Sequence, residues 1–313
     1  MTTAPRSLPL VALALGVAIL VIQIRVIAGG QTWDDVRYHT EVAPPRLAAA
    51  AAIAHGALPA WWDGTGLGVP LAGEPSHGAL YPPVWLAGSP HALDLVLIAH
   101  LAWAALGVAV WTRRRASDRS ALVAGVLIAT TGLLASTALR GALPALAHLP
   151  WLGAAAEALV AARGDRKRAA RAACAIAILV GAIALVGELA VVVDAVVLAL
   201  VVGARRATAR WLVPGVLAGL AIGAAQWLPA LLQIPHEAGG EVGGLPLARL
   251  LELVVPSASG SLASDAAIPA IAGGAAWAPS VFVGAPLLAL AAVRASSRRA
   301  LVVLAVFAAA ALI

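Results

Sequence analysis

The sequence predicts an all-α membrane protein, a polytopic helical bundle with one long polar loop between its first two spans. Three observations predict it. The 313 residues are 62% hydrophobic and 12% charged, whereas a soluble domain is nearer half apolar and a quarter charged. The apolar residues fall in repeated runs of about 20, the length a helix needs to cross a hydrocarbon core. These runs do not alternate residue by residue, as the strands of a membrane barrel would.

The formal net charge of +6 and a sequence pI near 10.9 suggest nucleic acid at first sight. Position excludes it. The cations sit in short clusters between apolar runs: Arg113, Arg114, Arg115 and Arg119; Arg163, Arg166, Lys167, Arg168 and Arg171; Arg205, Arg206 and Arg210; Arg294, Arg298 and Arg299. No basic patch is interleaved with aromatics in a soluble module. The clusters instead follow the positive-inside rule. With Arg6 they place sixteen of the 21 lysines and arginines on one side, and nearly every acid on the other. Cys174 is the only cysteine, so there is neither a disulfide framework nor a thiolate metal site.

Taken in order, residues 8–29 form the first span, ended by Gly29 and Gly30 and read as an uncleaved anchor. A long polar loop follows at 30–91. Inside it, Pro44 and Pro45 start an alanine-rich helical segment that runs from Arg46 to His55, too short to span and suited to lie along the interface. Residues 57–83 carry five prolines and many glycines, which reads as an irregular but ordered lid. Trp61, Trp62 and Trp85 are natural interface anchors. Spans are predicted at 92–111, 120–138 and 143–162. Residues 172–203 hold two shorter runs broken at Gly187-Glu188, a hairpin whose tip stops at or within the outer leaflet. A span at 211–232, a second long outer loop at 233–278 and a span at 279–293 follow. The last run, 300–313, is short of a full crossing.

The first loop holds Asp34, Asp35, Glu41, Asp63 and Glu74, four of the seven histidines (His39, His55, His77, His91) and both tyrosines, Tyr38 and Tyr81. Loops longer than about 15 residues are usually functional or disordered, and this one has too many aromatics and too few charges for disorder. It is the candidate site. Its histidines show no metal-ligand spacing, although Asp35 and His39 at i, i+4 permit a shared divalent metal. Asp194 lies inside an apolar run, where an acid marks a pathway or a paired site; His100 or His148 is the expected partner. That acid keeps a transporter or flippase reading open. Against it, the chain shows no internal repeat and no matched pair of broken helices.

The order of features resembles a known family. The first loop reads D-x-x-x-Y-H at 34–39, G-x-L-P-x-W at 56–61, G-x-G-x-P-L-A at 66–72 and L-Y-P-P at 80–83. Further on come GAAQWLP at 223–229, LARLLELVVPSASG at 247–260 and PSVFVGAPLLAL at 279–290. From about residue 8 to the end, the chain resembles the YfhO-type bacterial membrane proteins of the GT-C glycosyltransferase superfamily. Those proteins are usually much longer, so the resemblance implies the N-terminal portion of a larger transmembrane protein.

The resemblance implies a GT-C fold over 1–313, in the bacterial cytoplasmic membrane with the N-terminus cytoplasmic. It implies transfer of a sugar from a polyprenyl-phosphate-linked donor to an extracytoplasmic acceptor. The Asp of D-x-x-x-Y matches Asp34, which with its neighbour Asp35 is the candidate base, or in some relatives a metal ligand. A carboxylate at the dry edge of a bilayer gains basicity from desolvation, and an acceptor hydroxyl needs such a base. Tyr38 follows at i+4, placed to orient that carboxylate or stack on a sugar. Glu74, His77 and Tyr81 are candidate substrate contacts in the lid. Arg249, one of few cations on the outer side, is the candidate for the carrier phosphate, with a salt bridge to Glu252 as the alternative. At Gly187-Glu188-Leu189 the chain departs from the family's Gly-x-Pro. The expected partners are the lipid-linked donor, membrane lipids and an acceptor, with no nucleic acid. A non-catalytic envelope-assembly protein is the further alternative.

Overall fold

The computed structural model describes residues 8–29, 38–64, 68–74, 77–131, 134, 137–138, 141–162 and 164–237. Asp34, Asp35, Arg140 and Arg249, with the expected outer loop at 233–278 and the last two runs, lie wholly or almost wholly outside these residues. By its contacts the chain divides into one unit of Met1–Ala129 with Ala138–His236 and a second of Thr130–Thr137 with Glu237–Ile313. In the second, Thr137 Oγ1 donates to the Leu134 carbonyl at 2.9 Å. The rest of the description concerns the first.

The chain is mainly helical. Among the described residues its helices are α1 (Leu8–Ile22), α2 (Ile24–Ile27), α3 (Ala43–Ala54), α4 (Pro90–Arg113), α5 (Asp118–Ala129), α6 (Leu143–Leu146), α7 (Leu149–Ala161), α8 (Arg166–Val186), α9 (Leu189–Gly203) and α10 (Ala209–Glu237). A π-helical turn, Tyr38–Val42, leads into α3, and a 3-10 turn, Pro82–Leu86, precedes α4. Within the loop a two-residue hairpin pairs β1 (Trp61–Trp62) antiparallel with β2 (Val69–Pro70), Trp61 opposite Pro70.

Among the described residues, four segments are long and apolar enough to cross a membrane: α4, α6–α7 taken together, α8, and α10 as far as Pro229. Large apolar side chains point outward along them and their neighbours; Ile178, Val193 and Leu217 are each more than half exposed. Soluble proteins rarely show contiguous apolar surface of this kind, and in lipid it is the expected exterior. The chain is mostly helical, with the candidate spans and the apolar exterior of a membrane protein.

The spans differ from the sequence reading in three places. The first run is not one helix: α1 stops after 15 residues, about 22 Å at 1.5 Å per residue, and the chain turns at Gln23 before α2. The third run, expected to reach 138, leaves α5 with 12 residues ending at Ala129. The hairpin at Gly187 is present, but its first arm begins at Arg166 and has 21 residues. It therefore has the length to cross, because the basic residues 166–171 extend the helix beyond its apolar part. Only the second arm, α9, with 15 residues, is short of a crossing.

Local chemistry sets these ends. Ser89 caps α4 by accepting from the Ala92 N–H at 3.2 Å, with Pro90 at the first position. Asp165 caps α8 by accepting from the Arg168 N–H at 3.1 Å. Gly187 ends α8 in the left-handed region at φ +91°, where any side chain is strained. The core is built at helical spacing: Ile176, Val180 and Ile183 of α8 meet Leu152 and Leu159 of α7, Val191 and Ala195 of α9, and Leu212 and Val216 of α10. Between α8 and α10 the contact is closer still. A Cβ on Gly215 would meet the Ala173 carbonyl oxygen at 2.9 Å, one on Gly219 the Ala177 carbonyl at 2.8 Å and Val180 Cβ at 2.6 Å, and one on Gly223 the Ala184 Cβ. Glycines every four residues let the two backbones approach, as in membrane helix pairs generally.

The described parts of the long loop and of the first three basic clusters sit at opposite ends of this bundle. Gly78 of the loop packs on Val186 at the end of α8, while Arg166 opens the same helix, about 30 Å away at 1.5 Å per residue. The other helices agree. Asp94 near the start of α4 meets the loop, and Arg113 closes that helix beside Asp118.

Candidate functional site at the loop end

The loop is fastened to the helices by buried polar bonds. Tyr38, 1% exposed, donates its hydroxyl to Asp94 Oδ1 at 2.6 Å. Burial, then this bond, raises the Tyr38 pKa well above the usual phenol range, so the hydroxyl stays a donor. Tyr81, 3% exposed, lies between two histidines, 2.7 Å from His100 Nε2 and 2.7 Å from His148 Nε2. Burial pushes its pKa up as well.

The hydrogen bonds around Tyr81 have one consistent direction. Trp103 Nε1 can only donate, so His148 Nδ1, 3.0 Å away, accepts. Its Nε2 then carries the proton and donates to Tyr81. His100 Nδ1 faces the Val96 carbonyl at 2.6 Å and donates there, leaving its Nε2 to accept the Tyr81 proton. Every polar atom is used, with both imidazoles neutral. The chain ends on an indole N–H and a backbone carbonyl, neither of which passes a proton onward. It is a latch that holds Tyr81 against α4 and α7, not a proton path. It also corrects one expectation: all four ring nitrogens of His100 and His148 are taken, so neither histidine is the partner of Asp194.

A second fastening comes from α10. Gln226, fully buried, donates through Nε2 to the Ala72 carbonyl at 2.7 Å and to the Glu74 carbonyl at 3.4 Å. Its Oε1 accepts from the Leu80 N–H at 3.4 Å. Gln226 follows Gly223 by three residues and so shares the face that the glycines bring onto α8.

Under the loop lies Arg46. The helix α3 that carries it starts at Ala43 with prolines in its first turn, and its side chain is fully buried. Arg46 Nη2 donates to the Gly141 carbonyl at 2.8 Å. A Cβ at Gly141 would stand 2.6 Å from that nitrogen, and Gly141 has φ +83°, so glycine is required twice over. Burial lowers the guanidinium to about 10, with Glu188 and Tyr38 opposing the shift. It remains a cation at neutral pH. Burial first, and Arg46 second, pulls His77 down to about 4. His77 Nδ1 is buried without a hydrogen-bond partner among the described residues.

Of the sequence-predicted residues, the structure thus gathers Tyr38, Glu74, His77 and Tyr81 at the loop end. Tyr38 and Tyr81 turn their hydroxyls inward onto helix partners. Glu74 is tied through its backbone, its N–H donating to the Pro70 carbonyl at 3.0 Å. Trp85, an expected interface anchor, is 36% exposed and donates to the Ala79 carbonyl at 2.9 Å. Sequence reasoning did not single out Arg46, Asp94, Gly141 or Gln226. Asp94 carried the signal used for Asp194, an acid in an apolar run. Among the described residues no three of His, Cys, Asp and Glu converge as a metal site would require. No protein-family model, no curated protein and no solved structure matches this chain.

Proposed function

We propose that this chain is a membrane glycosyltransferase of the GT-C type, moving a sugar from a polyprenyl-phosphate-linked donor to an acceptor at the extracytoplasmic face of a bacterial cytoplasmic membrane. One observation carries the reading beyond the resemblance in sequence. Arg46, a fully buried cation on the loop's own helix, is set among the loop, Glu188 and Tyr38. Desolvating a guanidinium costs several kcal/mol, and a linker between two spans has no use for one. Glu188 answers part of that charge, and a fixed positive charge at the loop end also draws an anionic substrate toward it, as a carrier phosphate is.

In this reading the acceptor oxygen attacks the anomeric carbon while the bond from that carbon to the carrier phosphate breaks. Asp34 takes the acceptor proton, with Asp35 beside it as the alternative base. Arg249 meets the leaving phosphate and Arg46 adds its field. Glu74 and His77 contact substrate, and Tyr38 and Tyr81 hold the loop in place.

The test is sugar transfer by the purified intact protein from a polyprenyl-phosphate donor, with donor binding measured alongside. Asp34→Asn is expected to lose about 10²–10⁴-fold in rate and to keep donor binding. Full rate in both Asp34→Asn and Asp35→Asn sinks the reading. Asp194, half-buried in α9, favours transport as the second reading. Substrate flux in vesicles without any donor, lost in Asp194→Asn, would put transport ahead.

A further inference from the structure

At the end of the bundle away from the loop, a groove of about 510 Å³ runs between α4, α7 and α8. Its walls are mostly alanine, among them Ala154, Ala158 and Ala175. Arg114, Arg168 and Arg171 line it at the basic end of the helices, and Trp151 and Leu179 line it nearer their middle. Alanines leave the slot open where larger residues would fill it. From Arg168 to Leu179 is eleven residues of one helix, about 16 Å at 1.5 Å per residue. That is close to half of a hydrocarbon core of about 30 Å, so the groove is one leaflet deep.

The basic end is as informative as the walls. Arg168 pairs with Asp165 at 3.2 Å. The side chains of Arg114 and Arg171 are exposed and make no ion pair or hydrogen bond among the described residues. Two guanidiniums therefore stand over an apolar slot with their donors directed to no acceptor among the described residues. Guanidiniums match phosphate oxygens in a planar, two-toothed geometry.

We propose that this groove binds one glycerophospholipid with an anionic headgroup, its phosphate on Arg114 and Arg171 and one acyl chain along the alanine wall. The site is separate from the loop end and stands whether or not the transferase reading holds. Charge and shape select the ligand together. A zwitterionic lipid lacks the net charge, and inorganic phosphate lacks the chain.

The experiment uses the full chain in a mild detergent, with native mass spectrometry counting retained lipid. Phosphatidylglycerol and phosphatidylcholine with the same acyl chains are compared, with inorganic phosphate as competitor. One phosphatidylglycerol per protein is expected, with at least tenfold less phosphatidylcholine and no displacement by phosphate. Arg114→Gln with Arg171→Gln should cut retention at least tenfold, and both positions are exposed enough to leave the fold intact. Arg205→Gln with Arg210→Gln, cations outside the groove, should change nothing. Ala158→Trp tests the wall with the arginines in place and should also lose the lipid. Equal retention of the two lipids, unchanged retention in the Arg114/Arg171 variant, or displacement by inorganic phosphate would each overturn the proposal.

Discussion

At the loop end, Tyr38, Arg46, Asp94, His100 and His148 are buried and are joined by hydrogen bonds to tyrosine, carboxylate, indole or carbonyl partners. At the basic end, Arg114, Arg119, Arg166 and Arg171 are exposed. The same chain thus uses polar groups in two ways. Exposed cations act through their summed charge, which sets orientation in a membrane and tolerates variation at any one position. Buried groups act through direction, because each lost partner leaves a donor or acceptor in a medium that cannot replace it. Disturbing the first kind should cost little, and disturbing the second should cost much.

The largest effect is expected where the loop end depends on packing. Gly219 lies against the Ala177 carbonyl and Val180, and a leucine there must push α10 off α8. Overpacking against backbone should cost about 3 kcal/mol or more, and it should carry Gln226 away from Ala72 and Glu74. Gly16 on α1 has open space around its Cβ direction, so Gly16→Leu is the matched control. Thermal unfolding in detergent is expected to show a large loss for Gly219→Leu and almost none for Gly16→Leu. Equal melting of the two would mean that the glycine contact does not hold the helices together.

Tyr81→Phe comes next. It removes one oxygen and leaves the Nε2 atoms of both His100 and His148 without their partner, at about 1–3 kcal/mol for each orphaned buried group. A loss of about 2–3 kcal/mol is expected, together with faster proteolytic cleavage inside the 57–83 segment. Unchanged cleavage with lowered stability would separate the histidine pair from the anchoring of the loop.

These two residues also mark what the sequence discloses and what it does not. Apolar runs and basic clusters located α4, α6–α7 and the start of α10 to within a few residues, because hydropathy and positive charge are local properties of a chain; α8 was placed six residues short at its start, where basic residues extend the helix. The break at Gly187 was legible for the same reason. The loop was legible as one long polar interval, but its fastenings to the helices were not. Tyr81 reaches His148 across 67 residues, Arg46 reaches Gly141 across 95 and Gln226 reaches Ala72 across 154, and no local pattern encodes such a pairing. Arg46 is the sharpest case. In an alanine-rich helix it reads as a charge for the interface, and only the tertiary fold shows it buried. The repeat Gly215, Gly219, Gly223 is different. Its four-residue spacing is a local pattern that sequence reasoning did not use, and only the packing of α10 on α8 shows that it marks the face carrying Gln226.

Proton uptake sharpens the comparison further. Folding holds His77 near 4, against an ordinary value of 6.5. Between those values the unfolded chain binds a proton that the folded chain refuses. Stability attributable to His77 is therefore fully present above about pH 6.5 and lost as pH falls toward 4. The slope reaches about 1.4 kcal/mol per pH unit in that window. The melting temperature should drop between pH 7 and 4.5, and His77→Asn should remove part of the drop. The same slope in wild type and His77→Asn would show that other groups carry the acid sensitivity.

The smallest effect is expected at the basic end. Arg115 pairs with Glu157; the Arg115 side chain is 66% exposed and that of Glu157 16%. An ion pair whose guanidinium stays largely in water gains little over its hydration and loses side-chain entropy, so such pairs are typically worth about 1 kcal/mol or less. Arg115→Gln should shift the melting temperature by less than about 2 °C. The shift should shrink further in high salt, which screens exposed charges. Tyr81→Phe should keep its full cost at the same salt, because its lost bonds are neutral and buried. Melting both variants at low and high salt therefore reads the two ends against each other. A cost for Arg115→Gln that matches Tyr81→Phe and survives salt would mean that the basic end, too, is held by specific bonds and not by charge alone.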